Sequence, residues 1–236
     1  MMTTKRGLRL GACGLIVGIV YLSLGASAMA WNEPLWIRQF GTKGVDIVNF
    51  VRGIATDGAR SIYVTGSSDF LSWIVKYSGT GRLLWKRQIE QGVTVSGVTT
   101  DVAGSVYLTG QHFSILGSVG WLAKYDTSGV LLWEQVIETE SNRITNAATD
   151  IKSNIYVTGT TEDYFGWIAK YDTSGVLLWK HLIGSSANVY PYAVTTDIKD
   201  NVYLAGSTDG AFGGPNRGYT DAWVAKYDTD GHPLWK

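Results

Sequence analysis

The chain has a single cysteine, Cys13, among 236 residues. No disulfide can form within it, and zinc sites of the paired-cysteine kind are excluded. Histidine is almost as scarce. His112, His181 and His232 fall at unrelated points, and none has a second histidine or a carboxylate at metal-ligand spacing, so no metal site is expected. There is no Gly-x-Ser-x-Gly elbow, phosphate loop or dinucleotide fingerprint, and no catalytic residue or cofactor is expected. Neither sign of charge dominates. Three of the twenty basic residues (Lys5, Arg6, Arg9) lie in the first thirty positions and no acid does, so 17 basic face 20 acidic side chains in the rest. That balance leaves no electrostatic footprint for nucleic acid.

Only one long apolar run occurs, the 15 positions from Leu10 to Leu24. A membrane-spanning helix needs roughly 20. The run follows Lys5, Arg6 and Arg9 and precedes Gly25-Ala26-Ser27-Ala28-Met29-Ala30. This is the order of a secretory signal, with cleavage after Ala28 or Ala30. Residues 1–30 therefore read as a signal peptide and 31–236 as one repeat domain. After cleavage neither a membrane span nor a cysteine remains. The expected address is periplasmic, secreted or cell-surface.

What the chain does have is glycine (29), tyrosine (13) and tryptophan (10), with only four prolines. Eight of the tryptophans belong to a string that recurs at Trp73–Trp85, Trp121–Trp133, Trp167–Trp179 and Trp223–Trp235, the pair twelve residues apart each time. Fixed spacing over four copies marks a repeat protein. In Trp121-Leu-Ala-Lys-Tyr-Asp-Thr-Ser-Gly-Val-Leu-Leu-Trp133 two apolar runs flank Asp126-Thr127-Ser128-Gly129. Asp first and Gly fourth suit a type I turn closed by a glycine bulge, so the string is a β-hairpin. Asp126 is expected to pair with Val130 and Ala123 with Trp133. Trp121, Ala123, Tyr125, Leu131 and Trp133 would then share one face. The lysines at 76, 124, 170 and 226 read as surface lysines with stems laid along apolar neighbours.

Two further strand-like pieces precede each hairpin. One ends at Asp57, Asp101, Asp150 or Asp197, and the next carries a tyrosine six residues later (Tyr63, Tyr107, Tyr156, Tyr203). The aspartates could form a carboxylate ring around a channel. They read better as caps of their own turns, which select this residue. Four short strands per unit of 44 to 56 residues is the arithmetic of a propeller blade. The fold class is an all-β propeller of four four-stranded blades. A fifth fourth-strand piece, Pro34–Gly41, has no unit of its own. Either it closes a four-bladed ring, or the chain is an arc of a larger propeller. The arc is the favoured reading, completed by missing sequence or by self-association with another subunit through the open blade edges.

Asn201-Val-Tyr-Leu-Ala-Gly-Ser-Thr208, followed by Asp221-Ala-Trp-Val-Ala-Lys-Tyr-Asp228 and Gly231–Trp235, resembles the bacterial β-propeller repeat known as SBBP. The resemblance covers about residues 34–236 and implies an exported or surface-attached bacterial propeller. The first three units lack an equivalent of Asp221. The hairpin is also similar to the tryptophan-docking repeat of quinone-dependent dehydrogenases, but there Asp and Trp lie eight apart, against seven here (Asp126 and Trp133). That likeness is architectural.

Length variation is confined to one face of the disc, where loops on a rigid scaffold build binding sites. The longest insertion runs from Ser207 to Thr220. Its candidate ligand-binding residues are Asp209, Phe212, Asn216, Arg217 and Tyr219, with Asp221 at its end. The expected role is non-catalytic binding of a protein or glycan through this face. Two alternatives stand beside it: an enzyme or cofactor-binding propeller with acids on the loop face or in the channel, and a structural module of a larger surface protein.

Overall fold

The computed structural model describes residues 35–38, 49–68, 71–114, 117–137, 143–184 and 188–235. The proposed signal peptide, Trp31 and half of the 34–41 piece (34 and 39–41) lie outside them. Trp36–Lys236 forms one compact unit.

The described residues contain sixteen strands and no helix. Blade 1 is β1 (Asn49–Thr56), β2 (Ile62–Ser68), β3 (Leu71–Tyr77) and β4 (Leu83–Gln88). Blade 2 is β5 (Val93–Thr100), β6 (Val106–Ser114), β7 (Gly117–Tyr125) and β8 (Leu131–Ile137). Blade 3 is β9 (Arg143–Thr149), β10 (Ile155–Thr160), β11 (Gly166–Tyr171) and β12 (Leu177–Ile183). Blade 4 is β13 (Val189–Thr196), β14 (Val202–Thr208), β15 (Asp221–Tyr227) and β16 (Pro233–Trp235). Each blade is an antiparallel meander in chain order. The inner strands β1, β5, β9 and β13 pack in succession. Threonine hydroxyls link them: Thr100 Oγ1 donates to the Thr56 carbonyl (2.8 Å), Thr149 Oγ1 to Thr100 (2.8 Å) and Thr196 Oγ1 to Thr149 (2.7 Å).

The tryptophan string is a hairpin with the expected turn. Asp126 N donates to the Val130 carbonyl at 2.9 Å, and Gly129 takes a φ of 79°. Beyond the turn the register differs from expectation. Lys124 stands opposite Trp133 and Tyr125 opposite Leu131, which leaves Leu132 as a bulge. The same extra residue occurs at Leu84, Leu178 and Leu234. One inserted residue moves every later side chain to the other face. Trp121, Ala123 and Tyr125 therefore pack with Tyr63 and Ile74 of blade 1, while Trp133 stacks against Tyr107 and packs with the cluster shared with blade 3. Each hairpin thus sends its first tryptophan toward the preceding blade and its second toward the following one. Three such clusters fill the three blade interfaces.

Among the described residues the ring does not close. β16 pairs with β15 only at Lys226–Trp235 and Tyr227–Pro233. Trp36 lies on the other flank, its indole N–H donating to the Gly79 carbonyl (3.2 Å), and Arg38 Nε donates to Gly81 (2.9 Å). The four blades form an open arc, as favoured above.

Candidate functional site

The recurring aspartates cap their turns. Asp150 Oδ1 accepts from the N–H of Lys152 (3.0 Å) and Asn154 (2.8 Å), and Oδ2 accepts from Asn154 Nδ2 (2.8 Å) and the Tyr156 hydroxyl (3.3 Å). The tyrosine six residues on reaches back to its aspartate in every blade: Tyr63 to Asp57, Tyr107 to Asp101 and Tyr203 to Asp197, each at 3.0 Å. The carboxylate oxygens are consumed by their own turns.

The lysines depart from the surface reading. Lys76, Lys124 and Lys170 are buried at the blade interfaces. Their ammonium groups lie 3.8–3.9 Å from Asp57, Asp101 and Asp150, about 5 Å above the rings of Tyr63, Tyr107 and Tyr156. Each also donates across the interface to the hairpin turn of the next blade, at the carbonyls of Thr127 (2.9 Å), Thr173 (3.2 Å) and Thr229 (3.1 Å). The same carbonyls accept from Trp85, Trp133 and Trp179, each at 3.2 Å. This aspartate–tyrosine–lysine–tryptophan cluster is a joint between blades. Burial pushes the Tyr63, Tyr107 and Tyr156 hydroxyls well above their ordinary range, helped by the adjacent aspartates. They stay protonated and donating. Burial lowers Lys170.

A pH dependence follows. The Asn201 side chain, with the turn N–H groups and Tyr203 in support, holds Asp197 at about 2, below its ordinary 3.8. A depressed carboxyl contributes stability that is complete above the unfolded value and is lost as pH falls through the folded one. The melting temperature should hold down to about pH 4 and decline toward pH 2, and Asp197→Asn should flatten that decline. An equal acid slope in the variant would remove Asp197 from the account.

The inner strands meet at the tight-turn face around an opening of about 590 Å³, lined by Thr56, Thr100, Thr149 and Thr196 with Val102 and Ile198 among others. Asp101, Asp150 and Asp197 border it, with their oxygens committed as above. Among the described residues no group of three His, Cys, Asp or Glu side chains is placed to hold a metal ion.

The loop face has its own pocket, of about 400 Å³, built by the insertion in blade 4. Phe212, Pro215, Arg217, Asp221 and Trp223 line it, together with loop glycines. Phe212 meets Trp223 edge-on at 5.1 Å, and the Trp223 indole donates to the Ser207 carbonyl at 2.9 Å. The loop orders itself through short polar bonds. Asp209 accepts from Asn188 Nδ2 (2.6 Å), Asn216 Nδ2 donates to the Asp209 carbonyl (2.9 Å), and Arg217 N donates to Asp221 Oδ2 (2.7 Å). Gly218 N donates to Asn216 Oδ1 (3.0 Å). Of the six candidates, Phe212, Arg217 and Asp221 come together in the pocket, while Asp209 and Asn216 brace the loop. Tyr219 is exposed and does not line the pocket. Trp223, a pocket wall, is not among the six sequence candidates; in blade 4 Phe212 of the long insertion meets its ring.

No helix among the described residues is long and apolar enough to cross a membrane. A family model for SBBP, a β-propeller repeat, matches residues 35–70 and 178–213. The two matches begin at equivalent points, on the Trp36 piece and on β12. No curated protein matches the chain in sequence. Among solved structures it is similar to the Dos1 propeller (14% identity, TM-score 0.54), over 78% of this chain and 47% of that one. It is likewise similar to a gluconolactonase, XC5397 of Xanthomonas campestris (15% identity, TM-score 0.51), over 78% of this chain and 60% of that one. The chain thus spans about half the length of the first structure and three fifths of the second. At such identities the likeness concerns the fold. Two segments of the chain thus match the SBBP β-propeller repeat, and the described residues fold as an open arc of four propeller blades.

Proposed function

We propose that this protein is an exported, non-catalytic binding propeller, and that its ligand, a protein or glycan, enters the pocket under the 208–221 loop. The observation that carries this reading is the pocket's composition. An aromatic corner (Phe212 and Trp223) shares the pocket lining with Arg217 and Asp221, on a loop fixed by its own hydrogen bonds. Aromatic faces cover the apolar side of a sugar or peptide, and placed polar groups set its orientation. A braced loop loses little freedom on binding. Export rests on the charged, apolar and small-residue order of residues 1–30.

An enzymatic alternative would require a second acid in reach of the substrate. Asp221 is the one carboxylate among the described lining residues of this pocket. The test is a glycan array and a random-peptide display panel screened with wild type, Phe212→Ala and Arg217→Ala. Binding should fall at least tenfold in both variants with the melting temperature nearly unchanged. Shortening 208–221 to the length of the blade 3 loop should keep the β-sheet signal and abolish binding. Full binding by the shortened protein would place the ligand elsewhere, and turnover of a bound glycan would favour the enzyme. Mass spectrometry of the exported protein should show a start at residue 29 or 31.

A further inference from the structure

The two ends of the arc are halves of one more interface. On the far face of blade 4, Val224, which also borders the 208–221 pocket, is 52% exposed, whereas its equivalents Ile74, Leu122 and Ile168 are at 0%. Lys226 lies 5.2 Å over the Tyr203 ring as the other lysines do, but among the described residues it has no carbonyl from a following blade. On the near face of blade 1, Val51 is 62% exposed where Val95 is at 0% and Ile144 at 2%. The threonine chain also stops at both ends, since the described bonds run only from Thr196 down to the Thr56 carbonyl.

Blade 1 already holds part of the missing neighbour. Trp36 donates to the Gly79 carbonyl as Trp85, Trp133 and Trp179 donate to Thr127, Thr173 and Thr229. Arg38, two residues on, reaches Gly81 as Arg87 reaches Ser128 and Gln135 reaches Gly175. The indole lies so close over Gly81 that a Cβ there would stand 2.7 Å from it. Trp36 and Arg38 thus take, against blade 1, the positions that the fourth strand of each blade takes against the blade that follows it. Blade 4 has the opposite deficit. Among the described residues its fourth strand β16 pairs only with the last two residues of β15, and the edge from Asp221 to Ala225 shows none of the ladder that runs to Gln88, Ile137 and Ile183 in the other blades.

We propose that the occupant of both flanks is a second copy of this chain. Two arcs join head to tail into an eight-bladed ring, in which Trp36–Arg38 of each copy completes the outer edge of β15 in the other. The interface continues one already built three times. Lys226 would join the partner's Trp36 on the partner's Gly79 carbonyl, as Lys76 joins Trp85 on Thr127. The partner's Trp36 would replace Trp235 over Tyr203, and the three-residue β16 would give way. Added strands of this kind gain main-chain hydrogen bonds along a free edge. Closure within one chain demands a quarter turn per blade, yet with all three internal threonine bonds made the ends remain uncovered, so the step is smaller. Propellers typically have four to eight blades. Two copies give eight blades, within that range, and three would exceed it.

The experiment uses the full chain in a Cys13→Ser background. Light scattering should give twice the mass of one chain at micromolar concentration. Val224→Asp, at a side chain already exposed in the single arc, should give one mass while keeping its β-sheet spectrum. In the other blades the residues equivalent to Arg38 and Val224 stand opposite each other, as Ile74 does to Arg87. Mixing Arg38→Cys with Val224→Cys proteins should therefore yield a disulfide-linked pair under mild oxidation. A monomeric wild type, a Val224→Asp protein of unchanged mass, or a mixture that fails to cross-link would each overturn the proposal. So would a double-cysteine chain that cross-links to itself at nanomolar concentration, because that is the four-bladed ring.

Discussion

Replacing Trp121 with alanine is expected to destabilise the protein by about 3–5 kcal/mol, a fall of roughly 10 °C in melting temperature for a domain of this size. Trp121 is one of the largest fully enclosed side chains, packed between blades 1 and 2 with Tyr63 and Ile74 on the far side. Alanine would leave a cavity that sheets on both sides cannot close, because each is held by its own ladder. Trp133→Ala is the informative comparison. Before the bulge at Leu132 is known, Trp133 shares the Trp121 face and the same loss is expected of it. In the structure Trp133 is only partly enclosed against Tyr107, and its loss should be well under that of Trp121. Chemical denaturation of both variants decides this, and equal losses would place the two indoles on one face after all.

Removing Asp150 is the second large effect. The carboxylate is buried, closes the β9–β10 turn, accepts the Tyr156 hydroxyl and lies 3.8 Å from the buried Lys170 ammonium. Breaking a buried pair by deleting one partner typically costs about 3–5 kcal/mol, because the remaining charge is left uncompensated. Asp150→Ala should reach that range. The double variant Asp150→Ala, Lys170→Met should recover part of it, since the stranded ammonium is removed as well. No recovery in the double variant would mean that the turn cap, rather than the ion pair, carries the cost. Calorimetric melting of the three proteins separates the two.

These joints also determine where function can be placed. The aspartates that might have ringed the channel are spent on turns and on the lysine joint, so the channel mouth offers mainly threonine hydroxyls and apolar turn residues. The 208–221 loop belongs to none of the three joints between the described blades, and Phe212, Arg217 and Asp221 line its pocket. Its pocket was legible in outline. Glycine content and length marked the loop, and Phe212, Arg217 and Asp221 were among the candidates. That Asp209 and Asn216 would be spent on bracing could not be read, because their partners are set by the path the loop takes.

The sequence by itself determined the blade. Alternating apolar residues make strands, Asp and Gly at fixed offsets make the turns, and four copies make four sheets, all through contacts between near neighbours in the chain. Three features were decided only by tertiary structure. The face of Trp133 depends on one bulged leucine, and a shift of one residue inverts a strand. The burial of Lys76, Lys124 and Lys170 depends on acceptors some fifty residues away in the next blade, where no local pattern can register them. The open ring depends on the angle between blades, which is set by how the side chains of two sheets interlock across each interface and is written in no single repeat.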